Sequence, residues 1–260
     1  KAAPDSGEFY WLEATAAEAA LVVGDLDTAS KFYRKATTEH HPGAAEVSRT
    51  RSQARFLLQH LGQDKRQLDD CFALPKIALF SGHMFDQPHR EIPRFPAAIE
   101  NEVREAVEQA IQRHDIQVGY CSLANGGDLL FAESLLKLGG EIHIVLPFAI
   151  KTFKKYSVQN PLVPNAEHRF DRVLEQAATV RVLSEQGDPN DEAGYNYCNQ
   201  VITGLAVLKS KFLGMDIAPV LLWDHKKGDG GGGTESVFHS WSNHGEREVD
   251  IIRIDQILDE

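Results

Sequence analysis

The spacing of apolar positions changes near residue 74, and the change divides the chain. Ahead of it the period is helical. Alanine-rich periodicity runs from Phe9 to Val23, "GDLD" interrupts it, and a second helix carries Ala29, Phe32, Tyr33 and Ala36 on one face. A third helix follows Pro42 and Gly43 and ends near Gly62. No strand pattern occurs in this part.

From Leu74 onward short apolar runs alternate with amphipathic stretches. "KIALFSG", "IQVGYCSL", "EIHIVLPF", "TVRVLS", "APVLLWD" and "VDIIRI" read as strands. Between them lie helical patterns from about Pro96 to His114, over "GDLLFAESLLKLG", over "EHRFDRVLEQA", from Tyr195 to Leu213, and after Thr234. Continuous apolar strands separated by helices predict a mostly parallel sheet covered on both faces. The expected fold class is therefore α/β, a doubly wound Rossmann-like sheet with a small all-α segment before it. The expected division is residues 1–73 and residues 74–260.

In such a sheet ligands bind outside the carboxyl ends of the strands, so the residues that follow each strand carry the functional signal. The first strand releases into "SGHMFDQPHREIPRFP", the second into "ANGGDLLFAE" and the fifth into "GDGGGGTES". Three strand ends thus open into glycine, and two lead straight into a helix. A helix N-terminus offers unpaired N–H groups and the positive end of its dipole, and glycine lets an anion approach them. This predicts a phosphate-bearing ligand. The bland alternative is that glycine serves only turn geometry, with Asp128 capping its helix and the glycine run a slack loop.

Single residues refine this picture. His83 follows Gly82 at a strand end and is the histidine best placed to face a ligand. Arg94 precedes Pro96, a good first residue for a helix, and can bind phosphate through two N–H groups. Glu133 shares a helix face with Leu129 and Leu136, either as a catalytic acid or as a structural one. Lys151, Lys154 and Lys155 lie together in "KTFKKYS", a pattern more typical of a solvated face. Eleven histidines include no pair at H-x-x-x-H spacing, so no metal site is expected.

Composition narrows the partners. A formal net charge of −11 argues against broad binding to nucleic acid or anionic membrane, both of which need a basic face. Three cysteines, far apart and odd in number, suggest neither a disulfide framework nor a zinc motif and fit a reducing, cytoplasmic setting. No apolar run approaches the ~18 residues of a membrane span. The chain opens at Lys1 and enters helical pattern almost at once, as expected of a fragment of something longer.

Two resemblances add to this reading. The small residues Ala16 and Ala20, the break at Gly24, and Ala29, Tyr33 and Ala36 resemble a tetratricopeptide-type helical hairpin. One such repeat cannot bury its own face, so it implies a partner or fused domain. Over about residues 75 to 255, "KIALFSG", "GYCSLANGGDLLFAESLLKLGGEIHIVLPF" and the late "GGGGTESV" resemble the SLOG superfamily. That superfamily includes the LOG-type phosphoribohydrolases and DprA-like proteins, and comparable regions accompany tetratricopeptide-like helices in bacterial multidomain signalling proteins. The resemblance implies a nucleotide-type pocket lined by Ser81, Gly82, His83, Arg94, Asn125, Gly126, Gly127, Asp128, Asn199, Gly231, Gly232, Gly233, Thr234 and Glu235.

The chain departs from the LOG-type enzymes at their chemistry. Their P-G-G-x-G-T-x-x-E signature places a glutamate three residues after the threonine, where this chain has Val237. Their Arg-Lys pair is replaced by a helix carrying Asn196 and Asn199. The leading expectation is therefore a sensor that binds a nucleotide or nucleotide-derived ligand without a further cofactor and relays occupancy to a partner domain, with homo-oligomers compatible. A nucleotide N-glycosidase using Glu133 or Glu235 is one alternative. A protein-interaction module with a decayed pocket is the other.

Overall fold

The computed structural model describes residues 6–188, 190, 192–226, 233–242 and 248–259. They fall into two compact units, Lys1–Pro75 with Ser210–Met215, and Lys76–Lys209 with Asp216–Glu260.

The first unit contains α1 (Ser6–Val22), α2 (Leu26–Glu39) and α3 (Ala44–His60). Gly24 turns the chain at φ 83°, a conformation that favours glycine. Asp25 then caps α2 by accepting the Thr28 amide at 3.0 Å. α1 packs on α2 and α3 around Ala17, Leu21, Ala29, Tyr33, Ala54, Leu58 and Phe72. Small residues at the contacts let the helices approach closely.

The second unit is Rossmann-like. Its elements in order are β1 (Lys76–Gly82), α4 (Glu100–Arg113), β2 (Ile116–Cys121), α5 (Gly127–Lys137), β3 (Glu141–Leu146), α6 (Ile150–Phe153), α7 (Ala166–Gln176) and β4 (Thr179–Val182). Then come α8 (Glu192–Leu213), β5 (Ile217–Trp223), α9 (Thr234–Ser242), β6 (Asp250–Arg253) and α10 (Ile254–Asp259). All six strands pair in parallel, in the order β4-β3-β2-β1-β5-β6. Each strand lies on one of the six apolar runs.

Strand order decides where a ligand can enter. From β1 the chain steps outward through β2 and β3 to β4, and α8 then carries it back to β5 on the other side of β1. The direction of winding therefore reverses between β1 and β5, which opens a crevice at their carboxyl ends. β1 forms the floor of the unit, with Ile77, Ala78, Leu79 and Phe80 fully buried. β4, at the edge, is short and largely exposed, as suits an edge strand. On one face α4 packs against α5 and α5 against α7, while α9 packs on β5 and β1. Gly119 in β2 lets α5 sit close: a Cβ there would meet Leu135, Phe131 and Ile142 within 2.6–2.9 Å.

Three details go beyond the sequence expectation. Residues Ala97–Ile99 form a 3-10 turn ahead of α4. α8 begins at Glu192, ahead of Tyr195. "KTFKKYS" belongs to α6 and a π-turn, Lys154–Val158, closed by the Gln159 amide on the Lys154 carbonyl at 2.9 Å. Among the described residues no helix is long and apolar enough to cross a membrane.

Candidate functional site

A cavity of about 590 Å3 lies at the carboxyl end of β1, bounded by residues that follow β2 and β3 and by α8 and α9, within the ordinary size range of small-molecule sites. Ser81 and Gly82 of β1, Ser122 after β2, Asp128 of α5 and Pro147 after β3 line its sheet side. α8 contributes Tyr195, Cys198, Asn199 and Ile202, and α9 contributes Thr234 and Val237 with Gly233 before them. The π-turn adds Tyr156 and Ser157, and the loop after β1 adds His83, Gln87, His89, Arg90 and Arg94.

The loop after β1 is built rather than slack. Its anchor is Asp86, whose Oδ2 accepts the amides of Arg94 (2.9 Å) and Phe95 (3.1 Å) and whose carbonyl accepts Asn160 Nδ2 (3.0 Å). The rings of Phe85 and Phe95 pack below it at 4.3 Å. Arg94 is thereby held at the cavity, and its Nε lies 3.1 Å from Asp224 Oδ2. The other carboxylate oxygen of Asp224 is 2.8 Å from His83 Nε2. His83 and Asp224 are both buried, so this is a desolvated pair joining the ends of β1 and β5. Burial raises the Asp224 pKa, but the His83 hydrogen bond, the Lys226 amide and the charges of His83 and Arg94 outweigh it and hold the carboxyl below the usual aspartate range.

The two helix N-termini at this edge are not equivalent. At α5 the amides on either side of Asp128 are taken up within the protein: Gly127 N donates to the His83 carbonyl (2.9 Å), Leu129 N to Ala124 (3.2 Å) and Leu130 N to Gly126 (3.0 Å). A Cβ on Gly126 would meet His83 O at 2.5 Å and Met84 Cα at 2.7 Å, and one on Gly127 would meet Gly82 Cα at 2.8 Å. Gly126 also stands at φ 138°. These glycines are thus required by backbone packing against the end of β1, and neither lines the cavity. At α9 the first helical bonds run from Ser236 and Val237 to the Gly233 carbonyl. The amides of Thr234 and Glu235 therefore precede the helical ladder. Thr234 is buried, and its hydroxyl is 3.5 Å from that of Ser81.

Asp128 is not the helix cap that the sequence suggested. Its Oδ1 accepts the Gly82 amide at 3.1 Å and its Oδ2 the Ala124 amide at 3.3 Å, which ties α5 to β1 and to its own entry loop. Burial pushes its pKa up to about 7, against the pull of those two amides. The Cys198 thiol is pushed up to about 12, by burial first and by Asp128 second, so it is no nucleophile at neutral pH.

Of the residues singled out in the sequence, Ser81, Gly82, His83, Arg94, Asp128, Asn199, Gly233 and Thr234 meet at the cavity. Asn125 stands behind it, its amide on the Ser157 carbonyl at 2.8 Å and its carbonyl on the Phe85 amide at 3.0 Å. Gly231 and Gly232 lie outside the described residues. Glu133 takes a structural role. Arg169 binds it through two bonds of 2.8 and 2.7 Å, and Arg104 lies 3.0 Å away. These partners outweigh burial and keep it ionised. Glu235 is off the cavity, its carboxylate 3.8 Å from His239 one turn on. Lys154 pairs with Asp171 at 2.8 Å, leaving Tyr156 and Ser157 as the cavity contribution of that segment. Asp224, Tyr156, Ser122 and Arg90 carried no signal in the sequence beyond standing after apolar runs or beside glycine. Among the described residues no group of three or more histidine, cysteine, aspartate or glutamate side chains is arranged to hold a metal ion.

No family model matches the chain, and no curated protein does. Among solved structures, the X-ray structure of DNA processing protein A (DprA) from Streptococcus pneumoniae is similar at 16% identity with a TM-score of 0.32. The match covers 71% of this chain and 60% of that one.

Proposed function

We propose that the α/β unit binds a nucleotide or nucleotide-derived molecule in the cavity at the carboxyl end of β1 and acts as a sensor, with no cofactor required. The observation that carries this reading is the meeting of the buried Thr234, at the N-terminus of α9, with Ser81 in a cavity at the switch point of the sheet. A helix N-terminus favours an anion. Arg90 and Arg94 also line the cavity, each beside an aspartate, Asp86 at 3.3 Å and Asp224 at 3.1 Å, and Tyr156 and Tyr195 present rings suited to a planar base.

Binding that favours one arrangement of the cavity-lining residues over another would give the differential affinity that a sensor needs. The relay would pass through the N-terminal helices, where Leu12, Val22 and Val23 of α1 and its following turn are exposed and offer a protein partner or fused domain an apolar face. The net charge of −11 disfavours nucleic acid as a broad partner. The tetratricopeptide and SLOG likenesses, the cytoplasmic setting and the bacterial signalling context belong to this proposal. The N-glycosidase alternative has lost both its carboxylates, Glu133 to an ion-pair network and Glu235 to an outward position.

The test is a thermal-shift series with mono-, di- and triphosphates, cyclic mono- and dinucleotides, NAD and ADP-ribose. A ligand at a hundredfold its Kd adds about 2.7 kcal/mol, a rise of roughly 5–10 °C for a chain of this size. A selective rise that Ser81→Leu abolishes, by filling the cavity, supports the reading. A flat response to every nucleotide refutes it.

A further inference from the structure

We infer that Asp128 reads the sugar of the ligand by accepting a hydrogen bond from a ribose hydroxyl, which makes the site selective for ribonucleotides over 2′-deoxyribonucleotides. This rests on the nucleotide reading above and specifies it.

Among the described residues that line the cavity, Asp128 is the one carboxylate. It is buried, and each of its oxygens takes one backbone amide, Gly82 at 3.1 Å and Ala124 at 3.3 Å. An ionised carboxylate offers about four acceptor sites. Two backbone donors therefore leave it under-donated in a place where burial makes that costly. The raised pKa of Asp128 is the same shortage seen as protonation. A ligand that brings a donor relieves it.

The donor belongs to a neutral group. Arg90, Arg94 and the N-terminus of α9 line the same cavity and oppose a cation. Geometry links donor and anion in one molecule. Ser81 reaches the hydroxyl of Thr234 at 3.5 Å, while the amide of the next residue, Gly82, is bonded to Asp128. The acid and the anion-favouring helix end are thus bridged by two consecutive residues of β1. A sugar phosphate carries both kinds of group, hydroxyl donor and anion, in one molecule.

The test titrates the intact chain with ADP and 2′-deoxy-ADP, and with ribose 5-phosphate and 2-deoxyribose 5-phosphate. Each ribo form should bind at least about tenfold more tightly than its deoxy form, since a site built around a hydroxyl penalises its loss. Asp128→Asn should reduce that ratio to about threefold or less. The comparison on the wild-type chain stands even if the variant folds poorly. Equal affinities for ribo and deoxy forms overturn the assignment and leave the nucleotide reading intact. No binding of any of the four overturns the assignment, and refutes the nucleotide reading as well only if the wider nucleotide series is flat.

Discussion

The imidazole of His83 and the carboxylate of Asp224 meet at 2.8 Å across the crevice between β1 and β5. Asp224 also holds Arg94 at 3.1 Å, so one acid orients two of the basic side chains at the cavity. Asp224→Ala removes one carboxylate from beside the buried His83 and the partly buried Arg94. Removing one partner of a buried pair costs about 3–5 kcal/mol, and the loss should fall toward the lower end because Arg94 retains some contact with solvent. His83→Gln, which keeps a hydrogen-bonding group, should cost less. Urea unfolding of the two variants measures the difference, and equal losses would contradict the arrangement.

The glycines of "NGGD" should prove structural. Gly126→Ala and Gly127→Ala each place a Cβ within 2.5–2.8 Å of backbone atoms, which cannot move as a side-chain tip can. Both should lower the melting temperature severely or prevent folding. Gly204 in α8 is the control, with open space where its Cβ would stand. Gly204→Ala should raise stability by roughly 0.5–1 kcal/mol, the usual gain in a helix interior.

Those residues show where the sequence was legible and where it was not. All six strands and the main helices followed from apolar periodicity, a local property that survives folding. "KIALFSG" and "APVLLWD" marked β1 and β5, but their adjacency depends on α8 crossing the sheet, which no local pattern encodes. Glycine itself was ambiguous. At Gly126 and Gly127 the close approach is to the protein's own backbone, and only the position of His83 and Met84 reveals it. Asp224 was missed because its partners, His83 and Arg94, are remote in sequence. Glu133 drew attention for a helix face that folding gives to Arg169 and Arg104.

Stability should depend on pH through Asp128. Its folded pKa is about 7, while an unfolded aspartate titrates near 3.9. The contribution is therefore fully present below about pH 4 and is lost as pH rises through about 7. Asp128→Asn lacks it. The unfolding free energy of that variant relative to wild type, measured by urea unfolding, should climb between pH 4 and 7 and then level off, with a slope no steeper than about 1.4 kcal/mol per pH unit. Glu133 and Asp224, whose pKa values are lowered, lose their stabilisation as pH falls, but this is common to both proteins and cancels. A constant difference across the range would show that Asp128 is not strained by burial.

Cys71, Cys121 and Cys198 are free and buried, and burial is the first cause of the raised pKa of each. A thiol reagent at pH 8 should label the native chain slowly and the urea-unfolded chain at once. Rapid native labelling of Cys198 would mean that the cavity is more open than its lining indicates.

The central claim, that a nucleotide occupies the cavity at the carboxyl end of β1, is tested most directly by hydrogen exchange with and without saturating ADP. Protection should rise in residues 79–85, 195–202 and 233–237, the segments that line the cavity, while exchange in α1 and α2 slows far less. Unchanged exchange in all three segments, with binding established independently, would place the ligand elsewhere and contradict the account.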